Sequence, residues 1–339
     1  MSSELRQNRL TGQWVIIAPE RGDRPRQFDS QHGEAHTKTP AHREDCPFCT
    51  GNEAMLPDII LQLPGATDSV WQTRVVPNKY PMLTPNQGRQ RQAHGLSVGM
   101  PGYGHHEVII EHPQHNRDLA HMTTPEVTAV IETYHRRYVD LIHNDHNFMV
   151  IIFRNHGPRA GTSIQHPHSQ LVVTGVVPQH IRWREDVAQR YFDTWGCALL
   201  GDMLADELES GTGIIDANES FVAFVPYAAE VPFEVWIVPR QQQADFGAIT
   251  DRQKADFAAA LRDVLRRLSA LANDPDYNYV LHSAVRYKAD EPHLRWYLQV
   301  RPRLVTPAGF EIGSGILVNP SLPEDDASAL RSVSLAAVP

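Results

Sequence analysis

The chain carries the sequence GTSIQHPHSQLVV at residues 161–173, where a turn of small residues leads into an apolar run. The pattern predicts a β-strand, on which His166, His168 and Gln170 project from one face because strand side chains alternate with a period of two. Pro167 removes one backbone donor and favours an edge strand or a local irregularity. Two imidazoles and an amide beside a turn that offers backbone N–H groups would suit a phosphate site. A pair of metal ligands or of exposed polar residues would show the same spacing.

This strand lies in a segment that recurs later in the chain. Asn144-Asp145 precedes an apolar run at 148–153, and Asn273-Asp274, 129 residues further on, precedes another at 277–281. Gln170 falls on Gln299 at the same offset. A second similarity places residues 106–110 on residues 233–237. A register held over this length favours an ancient duplication.

Each half is predicted to contain two β-rich segments, a helix and two further strands. Apolar stripes with helical spacing cover residues 127–141 and 257–268, and Thr123 and Thr250 begin capping signals before them. Strands without crossover helices between them pair antiparallel. The sequence therefore predicts an α+β fold made of two tandem halves, 1–185 and 186–339, each an antiparallel sheet with a packed helix.

Composition narrows the range of partners. Lys and Arg number 31 against 40 Asp and Glu, so the formal charge is −9, and general binding to nucleic acid or to a membrane surface is not expected. The longest purely apolar run, 148–153, is far shorter than the ~20 residues of a membrane span. The polar N-terminus has no hydrophobic signal core, which predicts a cytoplasmic protein. Histidines number 18, and their concentration between His94 and His180 suggests metal or phosphoryl chemistry.

The cysteines point to a metal. There are three, too few for a disulfide framework, and Cys46-Pro47-Phe48-Cys49 is a tight turn that can place two thiolates on one zinc ion. No second C-x-x-C exists, so two further ligands would have to be histidines or carboxylates. A free or redox-active pair and a zinc ion with a different ligand set are the alternatives.

Several ordered motifs together resemble the galactose-1-phosphate uridylyltransferases, a branch of the histidine-triad superfamily. These are R-x-x-R-P from Arg21, C-P-F-C from Cys46, V-P-N-K-Y-P from Val76, I-I-E-x-P-x-H ending at His115, F-R-N-x-G from Phe153, G-x-S-x-x-H-P-H-x-Q ending at Gln170, and G-F-E-I-G-S-G from Gly309. That family consists of two similar histidine-triad-like halves in tandem, which agrees with the duplication.

The resemblance implies a ping-pong nucleotidyl transfer. His168 would attack the α-phosphorus of a nucleoside-diphosphate sugar and release the sugar 1-phosphate, and a sugar 1-phosphate or phosphate would then accept the nucleotide. Gln170 and Ser163 would contact the phosphoryl oxygens.

Further site residues follow from the matched motifs. Asn78, Asn155, Arg21 and Arg24 are expected to bind the nucleotide, the arginines through forked donors to phosphate. In the second half Arg295-Trp296-Tyr297 stands where the first has His166-Pro167-His168. One half would therefore do the chemistry while the other completes the pocket.

The resemblance also supplies the missing metal ligands. They are His115 and His166, which with Cys46 and Cys49 would form one closed, structural zinc site that fixes the strand bearing His168. Cys197 has no second cysteine near it in sequence, and no second metal is predicted. The family suggests a homodimer with the pocket near the subunit interface.

Donor specificity is less defined by the motifs. Family members that handle galactose usually have V-G-Y-E, and this chain has Phe310 in place of the Tyr but keeps Glu311, both expected to bind substrate. Val305 and Leu317 replace a Lys and a Gln, so hydroxyl, amine and amide donors are lost. The C-terminal pattern resembles plant-type ADP-glucose phosphorylases. Uridylyl transfer to a hexose 1-phosphate is the leading hypothesis and adenylyl transfer the alternative. A histidine-triad protein that binds or hydrolyses nucleotides without an acceptor is a third.

Overall fold

The computed structural model describes residues 2–23, 39–65 and 70–335. Arg24, predicted near the nucleotide, lies outside these ranges. The strands are β1 (Glu4–Gln7), β2 (Trp14–Ile17), β3 (Leu61–Pro64), β4 (Trp71–Pro77), β5 (Gln92–His94), β6 (Ser97–Gly99), β7 (Gly104–Ile110), β8 (Met149–His156), β9 (His168–Thr174), β10 (Ile214–Ala217), β11 (Phe221–Phe224), β12 (Val235–Pro239), β13 (Tyr277–His282), β14 (Tyr297–Pro302) and β15 (Leu317–Asn319). The helices are α1 (Thr124–Ile142), α2 (Gln179–Trp195), α3 (Leu199–Ser210), α4 (Asp251–Ala272), α5 (Gly309–Ser314) and α6 (Pro323–Ser332).

Ten strands form one continuous antiparallel sheet in the order β10-β11-β12-β14-β13-β8-β9-β7-β4-β3. The order within one half is the mirror of the order within the other, which confirms the predicted α+β duplication. The two halves meet where β8 pairs with β13, with Phe153 opposite Val280. Pairing of these two strands leaves neither half with an open inner edge.

Helices α1 and α4 pack together on one face of this sheet, above a shared core. Both begin at the predicted capping signals: the Thr123 hydroxyl accepts the Glu126 N–H, and the Thr250 hydroxyl accepts the Gln253 N–H. Each such cap is worth about 1 kcal/mol. With the helices on one face, the histidine strand β9 is free to present its other face to substrate.

The internal repeat predicted from the sequence is present in the structure, but the alignment of β7 with β12 is shifted by one residue. His106 contacts Gln170, and Glu234 makes the corresponding contact with Gln299. Along the sheet, Val108 pairs with Gln170 and Trp236 with Gln299, so His106 and Glu234 occupy equivalent positions. The sequence comparison had placed His106 on Phe233, one residue earlier. Phe233 has a φ of 58°, and this left-handed residue accounts for the displaced register at the start of β12.

The two halves are linked by α2 and α3, and the predicted boundary at 185/186 falls inside α2. A small sheet, β1-β2-β15, joins the two ends of the chain through parallel pairing of β2 with β15. It is anchored on the second half, since Arg6 donates to the Tyr227 carbonyl at 2.9 Å and to Glu324 at 2.7 Å. Of the helices in the described ranges, none has both the length and the apolar character that a membrane crossing needs.

Candidate active site and metal centre

The four predicted metal ligands lie together. Cys46, Cys49, His115 and His166 are all buried, and their ligand atoms lie within 4.8 Å of one another. The Cys46–Cys49 turn precedes β3, His115 follows β7, and His166 immediately precedes β9. Sheet pairing of β7 with β9 brings the two histidines side by side, and the turn closes over them.

The spacing of these atoms fits a tetrahedral ion. Cys46 Sγ lies 3.7 Å from His166 Nδ1, and Cys49 Sγ lies 3.5 Å from His115 Nδ1 and 3.6 Å from His166 Nδ1. A tetrahedral Zn²⁺ with bonds of about 2.3 Å to sulfur and 2.0–2.1 Å to nitrogen would separate these ligands by about 3.6 Å.

The protonation states of the ligand atoms also favour a bound metal ion. The His166 Nε2–H donates to the His112 carbonyl at 2.7 Å, so the lone pair is on Nδ1, which faces the sulfur atoms. Burial raises the pKa of the Cys46 thiol to about 11, so a bound cation is needed to make it a thiolate at neutral pH. The donor set therefore fits a divalent metal of the zinc type.

The Cys46–Cys49 turn, called the metal turn below, also contacts the strand that carries His168. Phe48, between the two cysteines, contacts the His166 ring edge-on at 5.9 Å and the His168 ring at 5.3 Å, measured between ring centroids. The turn that carries the two cysteines therefore packs directly against the ring of His168.

His168 is buried and held in one tautomer. Its Nδ1–H donates to the His166 carbonyl at 2.9 Å, which leaves the Nε2 lone pair free. Burial, together with the cationic Arg154, lowers the pKa of His168 to about 4, against the opposing effect of the hydrogen bond to the His166 carbonyl. The imidazole is therefore neutral near pH 7, the form that can act as a nucleophile.

Gln170 lies two residues along the same face of β9. Its Oε1 lies 2.7 Å from His106 Nε2 and 3.5 Å from Asn78 Nδ2. Asn78 is fixed in turn, because its Oδ1 accepts the Tyr80 N–H at 2.8 Å. Asn78 and Gln170, predicted from separate motifs, are thus brought together.

The second half of the chain reaches the site through β13. Phe153 pairs with Gln170 and Arg154 with Ser169, so Asn155 lies opposite His168 on β8. The Asn155 Oδ1 accepts from Asn278 Nδ2 at 2.8 Å. The amide group of Asn155 therefore remains available to a ligand.

A buried polar network lies under the site, on the helix side of the sheet. Arg154 donates to both Glu111 oxygens at 3.0 and 3.1 Å and to Asp118 at 2.5 Å. Ser169, between His168 and Gln170, donates to Glu111 and contacts the Tyr134 hydroxyl. Through Ser169, Glu111 and Tyr134 this network ties β9 to α1.

Some of the predicted site residues do not lie beside His168. Ser163 lies on the exposed turn before His166. Arg21 lies beside the second half of the chain. Its N–H donates to the Ala18 carbonyl, and the Ala18 N–H donates to the Asn319 carbonyl in β15. Phe310 is 53% exposed, and Glu311 accepts the Ala308 N–H at the start of α5. Their predicted contacts with substrate therefore stay predictions.

The structure also places residues near the site that the sequence had not indicated. They are His106, Asn278, Phe48 and Arg154. His106 and Asn278 become visible only through cross-strand pairing. Phe48 lies within a motif that was interpreted through its cysteines alone.

Comparisons with known proteins give a consistent result. Residues 1–178 match the model of the galactose-1-phosphate uridyl transferase N-terminal domain, and residues 184–336 match that of its C-terminal domain. The ADP-glucose phosphorylase of Arabidopsis thaliana is 34% identical over 98% of this chain and 94% of its own length. The galactose-1-phosphate uridylyltransferase of Thermotoga maritima is 24% identical over 98% of this chain and 99% of its own.

A solved structure extends the comparison. An ADP-glucose phosphorylase from Arabidopsis thaliana, with bound ADP-glucose, superposes with a TM-score of 0.85 at 32% identity, over 99% of this chain and all of the other.

Proposed function

This chain belongs to the galactose-1-phosphate uridyl transferase family of nucleotidyltransferases, and we propose that it transfers the adenylyl group of ADP-glucose to inorganic phosphate. The observation that carries this choice is the identity of 34% to an ADP-glucose phosphorylase, against 24% to the uridylyltransferase named above. Uridylyl transfer, the leading hypothesis from the sequence, is thus less well supported than its alternative.

The replaced hexose contacts support the same choice. Phe310 stands in place of a tyrosine, and Val305 and Leu317 in place of a lysine and a glutamine, in the pattern of galactose-handling relatives. A site that loses polar donors to a sugar phosphate loses discrimination for it. An acceptor as small as inorganic phosphate does not require those contacts.

In the first step His168 Nε2 attacks the α-phosphorus of ADP-glucose. A phosphorus–nitrogen bond forms, the bond to the bridging oxygen breaks, and glucose 1-phosphate leaves. No proton has to be removed from Nε2, because the ring proton sits on Nδ1 and is held by the His166 carbonyl. That hydrogen bond also stabilises the positive charge that the ring acquires.

In the second step an oxygen of inorganic phosphate attacks the same phosphorus. The phosphorus–nitrogen bond breaks, ADP leaves, and His168 returns to its neutral form. Gln170 is placed to donate to a phosphoryl oxygen in both steps, and Asn155 presents a second amide opposite His168.

The metal has a structural role in this proposal. Cys46, Cys49, His115 and His166 would hold a zinc ion, and a closed four-ligand site fixes the position of the protein groups around it. The chain's own contribution is the rigid link from the turn through Phe48 to the ring of His168.

A homodimer would complete the pocket. Arg21 and Phe310 are both exposed and flank opposite ends of the parallel pair of β2 and β15, and Ile312, two residues after Phe310, is 78% exposed. In the proposed dimer, Arg21 of one copy would contribute to the pocket around His168 of the other copy. The unpaired thiols of Cys46 and Cys49 fit the predicted cytoplasmic location.

The test is a comparison of donors and acceptors with the purified, zinc-loaded protein. ADP-glucose with phosphate should give a kcat/KM at least about tenfold above that of UDP-glucose with galactose 1-phosphate. The reverse order would make the protein a uridylyltransferase. Release of free nucleotide at the same rate without any acceptor would make it a hydrolase.

A further inference from the structure

Gln170 can help transfer only in one of its two amide orientations. A phosphoryl oxygen is an acceptor, so the Nε2 amide group must face it and the Oε1 atom must point elsewhere. The two orientations have the same shape. The polar neighbours of the amide must therefore decide between them.

His106 and Asn78 are the two neighbours that face Gln170 Oε1, at 2.7 and 3.5 Å, and His106 is the nearer. Its Nδ1 lies 3.2 Å from the Met82 backbone nitrogen, and a backbone N–H can only donate, so Nδ1 must be the unprotonated nitrogen. The ring proton is consequently on Nε2, which lies 2.7 Å from Gln170 Oε1, and the Asn78 amide group, 3.1 Å from Nε2, donates to the same Oε1. Nε2–H donates to Oε1 and directs the amide group of Gln170 away from His106.

The second half of the same chain provides an internal comparison. Gln299 occupies the position of Gln170, and Glu234 occupies the position of His106. Glu234 is an acceptor, and Gln299 Nε2 donates to its Oε1 at 2.7 Å. Gln299 Oε1 instead faces His282 Nε2 at 2.9 Å. In the half without the catalytic histidine, the amide group of the equivalent glutamine is directed at a carboxylate.

We propose that His106 is a positioning residue, which fixes the Gln170 amide as a donor to the phosphoryl group during nucleotidyl transfer. This inference rests on the proposed function, since it assigns a role within the same reaction. His106 acts on the α-phosphate only through Gln170. Its ring does not have to change protonation state to do so.

The test compares two substitutions of matched size. His106→Glu places an acceptor beside Gln170, as in the second half, while His106→Gln keeps a donor. We expect His106→Glu to lower the single-turnover rate of nucleotidyl-enzyme formation from ADP-glucose by roughly 10²–10³-fold. We expect His106→Gln to stay within about tenfold of the wild-type rate, with similar melting temperatures for both variants.

A double-mutant cycle with Gln170→Ala separates positioning from direct catalysis. Loss of His106 should slow the wild type but should cost nothing further in the Gln170→Ala background. An equal loss in both backgrounds, or a wild-type rate for His106→Glu, would overturn the proposal.

AMP affinity provides a second measurement that does not require transfer. His106→Glu should weaken AMP binding by about tenfold or more through the lost donor, and His106→Gln should preserve it. Equal affinities in the two variants would contradict the role of His106. Absence of labelled protein from the wild type with either nucleotide sugar would instead refute the proposed function, while the AMP comparison would still decide about His106.

Discussion

In the proposed mechanism, two features prepare the side chain of His168 for attack: a hydrogen bond to a carbonyl and burial. The His166 carbonyl binds Nδ1–H, and burial keeps the ring uncharged. Because His166 turns its ring towards the cysteines while its carbonyl holds His168, this one residue would serve both the metal ion and the nucleophile. The spacing H-x-H is what makes this double use possible.

At the same scale, His156 predicts a pH dependence of stability. Burial disfavours its charge, but Asp118 at 3.2 Å and Asp274 at 3.3 Å outweigh burial and the repulsion of Arg154, so the pKa of His156 is raised to about 9. Its unfolded value is about 6.5. The folded state therefore binds the proton more tightly, and the stabilisation is complete below about pH 6.5 and lost as pH rises through 9.

The measurement is urea unfolding at about pH 6.5 and pH 9.5, compared between the wild type and His156→Gln. Between these values the wild type should lose more free energy of unfolding than the variant, by up to about 3 kcal/mol. Equal losses in the two proteins would show that His156 is not charged in the folded state.

Residues differ in how far the sequence reveals them. His168 and the predicted metal ligands belong to short motifs, so the sequence alone can nominate them; the structure brings the four ligands together, and the roles stay predictions. His106 and Asn278 act on partners that lie 64 and 123 residues away in the chain. Their roles arise from strand register, and a register shift of one residue moves a side chain to the opposite face.

The metal turn acts at the scale of an element, since it joins residues 46–49 to β9. Removal of the metal, by a chelator or by Cys46→Ser, should lower the free energy of unfolding by roughly 3 kcal/mol or more, because it leaves buried donors without a partner. The transfer activity per folded molecule should change less, in proportion to the wild-type value, than the free energy of unfolding does.

Metal analysis and melting curves test this prediction. The wild type should contain one zinc ion per chain, and Cys46→Ser should have lost it together with several degrees of melting temperature. Cys197→Ser is the matched control, since Cys197 lies outside the cluster beside Asp202 and its loss should change neither quantity. Identical melting curves with and without zinc would rule out a structural metal.

Elements with a local signal were predicted well, and those defined by tertiary contacts were not. Both capping boxes appear in the sequence and begin α1 and α4 where expected. The link between the halves is formed by α2 and α3, although the sequence suggested only a joint there. The junction of β8 with β13 depends on two strands 128 residues apart and has no local signature.

On the scale of the whole molecule, the proposed mechanism makes the first half reactive and the second half supporting. Tyr297 stands where the second histidine would be, and Glu234 holds Gln299 by its donor. Asn278 nevertheless reaches across to Asn155. The second half therefore contributes side chains to the site without carrying a nucleophile of its own.

Subunit complementation tests whether the pocket is shared between two copies. His168→Gly and Arg21→Ala should each be nearly inactive alone. After denaturation and joint refolding, an equal mixture should regain about one quarter of the wild-type activity, because half of the dimers are mixed and each mixed dimer has one intact site. No recovery would place Arg21 in the site of its own chain or outside any site.

The most direct test of the account is mass spectrometry of the protein after brief incubation with ADP-glucose in the absence of phosphate. We expect one adenylyl group per chain, on the peptide that contains His168, released as ADP when phosphate is added. His168→Gly should remain unlabelled while retaining its fold and its zinc. An adduct on another residue, or full turnover to ADP by His168→Gly, would contradict the central role of His168.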